Sequence, residues 1–211
     1  MTDTTTSTFA VRLLRPATTV KPHEAKAVLL SFLLFFFLLG SYYILRPVRD
    51  TMATVYGVKY LQELFTGTAI ATMITTLVYG AVVSRVKLST FVPWVYGMFI
   101  ISIVGFYFLL EANLNERYVA AAFYVWISTF NLFIIAVFWS LMADTFSRTQ
   151  GKRLFGFISA GGSLGAIVGP SLTALFVEKV GVNVLILFAA VGFGIAVVIL
   201  RLLEGEKAQA A

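Results

Sequence analysis

Cysteine is absent from all 211 positions, and histidine occurs once, as His23. Disulfides, thiolate nucleophiles and cysteine-held metals are therefore excluded. A Ser-His-Asp triad needs an imidazole among the apolar segments. His23 instead stands in a polar N-terminal stretch and reads as a solvated tail residue. Charge is scarce as well: Asp, Glu, Lys and Arg make up only 12% of the chain, against 59% hydrophobic residues and a mean hydropathy of +0.91. A soluble fold of this length has too little interior to hide that much apolar surface. No paired carboxylates lie inside the apolar runs, so neither an enzyme nor a bound cofactor or metal is expected.

What remains is a series of long apolar runs. They predict six membrane-spanning helices, at Ala25–Leu45, Leu61–Val83, Phe91–Leu110, Tyr118–Leu141, Leu154–Val177 and Val182–Leu203. About 20 residues at 1.5 Å each suffice to cross a hydrocarbon core of about 30 Å. The runs are continuously apolar rather than alternating, which argues against barrel strands. The expected fold is thus an all-α integral membrane bundle, residues 25–203, with polar tails at 1–24 and 204–211. The first tail has no apolar core of the signal-peptide kind, so the first span is expected to direct insertion. Both tails are expected to be mobile.

The net charge of +6 does not point to nucleic acid, because the cations stand in the connections between apolar runs rather than on an aromatic-studded basic face. Eleven of the 16 Lys and Arg fall on one side of the predicted topology and five on the other. The richer side holds Arg12, Arg15, Lys21, Lys26, Arg85, Lys87, Arg148, Lys152, Arg153, Arg201 and Lys207. The positive-inside rule places that side, and both termini, in the cytoplasm of a bacterial-type inner membrane.

The segment Tyr42-Tyr43-Ile44-Leu45-Arg46-Pro47-Val48-Arg49-Asp50 carries the most chemistry. Tyr42, Arg46 and Arg49 are spaced i, i+4 and i+7, so a helix places them on one face. Asp50 is four residues beyond Arg46 and is positioned to pair with it. Pro47 lacks a backbone donor, which frees a carbonyl near Tyr43 and favours a kink. Two guanidiniums present planar forks of donors that fit phosphate or carboxylate oxygens. In the other reading, Arg46 lies at the end of the first span and snorkels to the interface.

Three further patterns stand on the predicted spans. Gly161, Gly165 and Gly169 recur every four residues and precede Pro170, a smooth stripe suited to close helix approach and to bending or sliding during conformational change. Tyr124, Ser128 and Asn131 form a polar line, in which Asn131 has the largest hydrogen-bonding demand and is the better cavity candidate. Thr68, Thr72, Thr75 and Thr76 are expected to bond between helices or back to their own helix. Trp126 and Trp139 read as packing or interfacial anchors. Arg85 and Asp144, in connections on the same side, are candidates for a gating pair.

Six spans with a short basic loop between the second and third resemble the N-terminal half of a major facilitator superfamily transporter. Gly80 and Arg85 match that superfamily's loop motif, where Ser84 replaces the usual acid. Gly156, Gly165, Gly169 and Pro170 are similar in spacing to its fifth-helix antiporter motif, with Thr173 and Ala174 in place of the closing glycines. Ile44 to Asp50 resembles the first-helix signature of the ATP/ADP (NTP/NDP) translocases, and Phe138-Trp139 with Ala143 is similar to their fourth span. Ile127 and Ser128 stand about where that family carries an acid. The resemblance implies transport of an anionic, nucleotide-like solute by alternating access. The basic residue that the family carries just before an Asp, implicated in nucleotide transport, would here be Arg49 before Asp50; the reading of the residues themselves adds Arg46, Tyr42 and Asn131 to the expected site. The expected partners are the lipid bilayer, the solute and a second six-helix half, from the same or another chain. The competing readings are a non-transporting membrane scaffold and a lipid flippase.

The topology is tested by reporter fusions. Those at Asn113 and Val182 should report from outside the cytoplasm and one at Gln150 from within it; a periplasmic signal at Gln150 would overturn the span assignment.

Overall fold

The computed structural model describes residues 20–86, 88–112 and 115–210. Its regular elements are all helical: α1 (Ala25–Tyr56), a short 3-10 turn (Val58–Tyr60), α2 (Leu61–Val83), α3 (Leu88–Glu111), α4 (Glu116–Thr145), α5 (Arg148–Val180) and α6 (Val182–Ala210). The six α-helices are long and apolar enough to cross a membrane, consistent with a multi-pass membrane protein. A helix suits that setting because it satisfies its own backbone polar groups.

Two boundaries differ from the sequence expectation. Helix α1 continues for eleven residues past Leu45, straight through Pro47 to Tyr56. Proline removes one hydrogen bond but does not end a helix that neighbouring helices hold in place. Helix α6 runs on to Ala210, so most of the expected C-terminal tail is helical, and its Glu206 pairs with Lys26 at the start of α1. The start of α1 and the end of α6 thus share one side of the bundle, here the terminal side. Arg12, Arg15, Lys87 and Asn113 lie outside the described residues.

Helix α1 is the axis of the bundle and packs on α4, α5 and α6. It runs parallel to α5 in a constant register. Phe32 meets Gly161, Phe36 meets Gly165, Gly40 meets Gly169, and Thr173 Oγ1 donates to the carbonyl of Ile44, 129 positions apart. A Cβ at Gly161, Gly165 or Gly169 would fall under 3.0 Å from a backbone atom of α1. The stripe is therefore a backbone-to-backbone seam, close enough for α1 carbonyls to face glycine Cα–H groups.

The other helices are set by aromatic pairs. Phe35 of α1 stacks on Phe138 of α4 at 4.1 Å, and Phe99 of α3 stacks on Phe130 of α4 at 3.4 Å and meets Phe193 of α6 edge-on at 4.9 Å. Gly192 of α6 fits against Ser41 of α1. Helix α2 is peripheral and rests chiefly on α4, through the Tyr79–Ser140 hydroxyl bond of 3.0 Å and the contact of Gly67 with Val125. Leu64 is the one residue of α2 that is buried.

The seam makes a sharp prediction. Gly165→Ala should destabilise the protein by about 1–3 kcal/mol, because the added methyl forces α1 and α5 apart. Gly156→Ala on the same helix meets nothing within 4 Å and should be neutral or slightly stabilising. Thermal unfolding of the two variants in detergent compares them; equal midpoints would mean that the stripe is not a packing seam.

Candidate functional site

The extension of α1 places its arginines inside a helix rather than at its end. Ten residues of helix follow Arg46. Arg49 lies over the ring of Tyr124, 5.3 Å from its centroid. Tyr124 is itself eight residues into α4, about 12 Å along from Glu116. Both arginines thus stand about two to three helical turns below the far-side polar layer, where Arg117 lies over Tyr56 and Tyr60 at 5.0 and 4.4 Å and Tyr56 Oη donates to Glu63 at 2.6 Å.

The expected pairing of Arg46 with Asp50 is not formed. Asp50 Oδ1 instead accepts from Arg49 Nε at 3.0 Å and Nη2 at 2.6 Å. Arg46 lies back over Tyr43, 5.7 Å from the ring centroid, a cation–π contact on the N-terminal side, away from Asp50. Arg46 is exposed and has no ion pair among the described residues. It overlooks an open cleft between α1 and α5, lined by Tyr43, Pro47, Asp50, Ala166 and Pro170. Pro170 therefore contributes a cleft wall as well as following the glycine stripe.

Tyr42 is buried, one turn before Arg46 on the same helix. Helices α1 and α4 are antiparallel, with residue 35 beside 138 and 49 beside 124. The midpoint of that register sets Tyr42 level with Asn131. Asn131 is half-buried and makes no side-chain hydrogen bond among the described residues, and the buried Ser128 Oγ of the same polar line has no partner either. The structure thus gathers Tyr42, Arg46, Arg49 and Asp50 and sets Asn131 at their level. Arg85 and Asp144 are both exposed on the terminal side, with no ion pair between them among the described residues. The α2 threonines divide: Thr76 bonds back to the carbonyl of Thr72, and Thr68 Oγ1 is buried without a partner among the described residues. Trp126 donates to Ser102 Oγ at 2.9 Å and so ties α4 to α3.

A second polar cluster has no counterpart among the sequence expectations. Glu24, buried at the start of α1, accepts from Arg153 Nη2 at 2.9 and 3.0 Å, from Gln150 Nε2 at 2.9 Å and from the Lys21 N–H at 3.2 Å. Gln150 also closes a capping box with Ser147 at the start of α5. The pattern Ser147-x-x-Gln150 is legible in the sequence as a helix start; its partner 126 positions earlier is not. Burial by itself would raise the Glu24 carboxyl, but the hydrogen bonds from Gln150, Lys21 and Arg153 and the charge of Arg153 together hold it below its ordinary value.

No protein-family model, curated protein or solved structure matches this chain.

A depressed carboxyl stabilises the fold above its unfolded-state value and loses that contribution as the pH falls through its folded-state value. Glu24→Gln should therefore cost about 1.5–3 kcal/mol at pH 7. The gap between the wild-type and variant unfolding midpoints should close as the pH drops below 4.5. A gap that stays constant from pH 7 to pH 3 would show that the carboxylate charge contributes nothing.

Proposed function

We propose that this chain is one half of a membrane transporter for an anionic solute, working by alternating access, with Arg46 as the main anion donor. The observation that carries this reading is an exposed guanidinium, without an ion pair among the described residues, on a helix interior above an open cleft. A charge at mid-membrane costs about 2.5–3.5 kcal/mol on insertion scales and is tolerated where water or solute reaches it. Arg49, its fork partly taken by Asp50, sets the local field and becomes available when that pair opens. The unpartnered Ser128 hydroxyl and Asn131 amide supply neutral donors and acceptors at the same depth.

The cleft also bears on assembly. Arg46 and Asp50 are exposed on the side of a single six-helix unit, where facing lipid would be costly. A second six-helix unit, from this or another chain, would close the cleft and complete a site between two halves. The likeness of Ile44–Asp50 to the translocase signature supports a nucleotide or other organic phosphate as the solute. The likeness of the glycine and loop motifs supports a major-facilitator arrangement.

The test is binding of a panel of nucleotides, organic phosphates and dicarboxylates to the complete assembly. Arg46→Ala should weaken the bound anion roughly 10- to 150-fold, the loss of a charge-assisted contact. Arg46→Lys should only partly restore it, since an ammonium keeps the charge and loses the fork. Asp50→Asn should tighten binding by releasing Arg49. If Arg46→Ala leaves the affinity for every bound solute unchanged in folded protein, the anion site is not here.

A further inference from the structure

A second recess, of about 740 Å³, lies away from α1, between α2, α3 and α4. It exists because α2 rests on α4 and leaves α3 unaccompanied on that flank. Its walls include Ile74 and Val78 of α2, Trp94 and Ile101 of α3, and Phe130 and Phe133 of α4. Trp94 and Ile101 are strongly exposed, so the recess opens sideways, toward the bilayer. Two polar groups on its walls are already bonded elsewhere, Tyr79 to Ser140 and Trp126 to Ser102.

Length and charge together identify an occupant. Along α3 the lining runs from Phe91 to Ile101, a span of about 15 Å of helix. That is half of a 30 Å hydrocarbon core, the depth of one leaflet. Arg201 of α6 is the single charged group among the described lining residues. Phe193 meets Phe99, and α6 runs antiparallel to α3, so Arg201, two turns further on, stands level with Phe91 at the terminal end of the recess. There the guanidinium is exposed and, among the described residues, hydrogen-bonds only to Glu204 Oε2, at 3.4 Å. An apolar slot one leaflet deep with a cation at its outer end matches an amphiphile with an anionic head.

We propose that this recess holds one anionic phospholipid of the terminal-side leaflet, with an acyl chain between α2 and α3 and its phosphate on Arg201. The site is separate from the α1–α5 cleft and stands or falls independently of it. Because α2 has so little other support, the lipid chain acts as packing material that holds α2 at its distance from α3.

The test uses the full chain in nanodiscs made from equal parts of phosphatidylglycerol and phosphatidylcholine, with retained lipid read by native mass spectrometry. Wild type should retain phosphatidylglycerol in preference. Arg201→Gln should still bind lipid but lower the preference for the anionic head about fivefold, the worth of one interfacial cation. Gly97 lines the recess and has open space around it, so Gly97→Leu fits the backbone, favours helix and occupies the slot. That variant should lose bound lipid of both kinds while staying folded. Equal retention of the two lipids by wild type would overturn the proposal, as would unchanged retention in Gly97→Leu. A lipid-free dimer cross-linked through Trp94→Cys would assign the recess to a second copy instead.

Discussion

The architecture depends on one contact, the seating of three glycines of α5 on the backbone of α1. Between helices in lipid there is no hydrophobic drive, since a lipid tail is as apolar as a leucine. What holds them is close packing, helped by carbonyl oxygens that face glycine Cα–H groups. Gly161, Gly165 and Gly169 bring α5 to backbone distance of α1 at Phe32, Phe36 and Gly40. With α5 fixed on one side of α1, α4 and α6 fill the rest of its circumference. Helix α3 then bridges α4 and α6 through Phe99.

The cleft inherits its shape from that seam. Gly169 sits against the Cβ of Tyr43, which holds the tyrosine in place beside α5. Tyr43 in turn carries the guanidinium of Arg46 on its ring. Pro170, the next residue after the last glycine, lines the opposite wall. Packing and chemistry therefore share residues, and movement of α5 along or away from α1 would alter the environment of Arg46 directly.

Sequence alone carried the architecture well and the polar connections poorly. Long apolar runs announce spans, because membrane thickness sets a length that few soluble segments reach. A glycine every fourth residue announces a face, because 3.6 residues per turn brings those positions into line. Ends and pairings are harder. Leu45 looks like the end of a span, since charge and proline follow it, yet tertiary support carries α1 to Tyr56. Asp50 pairs with its neighbour Arg49 instead of Arg46, whose guanidinium lies over the ring of Tyr43. Glu24 was invisible as a structural residue, because its partners Gln150 and Arg153 lie over a hundred positions away.

The α1–α5 seam has a near-translational symmetry that the rest of the fold must break. Glycines repeat at an interval of four, and the carbonyls they meet repeat with them. A slip of one turn would seat Gly165 on Phe32 and Gly169 on Phe36 with almost the same fit. Only the ends of the seam distinguish the alternatives. After such a slip Glu24 would lie opposite Phe157 or Thr149, and its buried carboxylate would lose the Arg153 fork. Thr173 would lose the carbonyl of Ile44. A polar pair that adds little net energy can still select one alignment among several equally comfortable ones. In this bundle the ion pair at the mouth of the seam works as the keyway that sets the phase of a repeating thread.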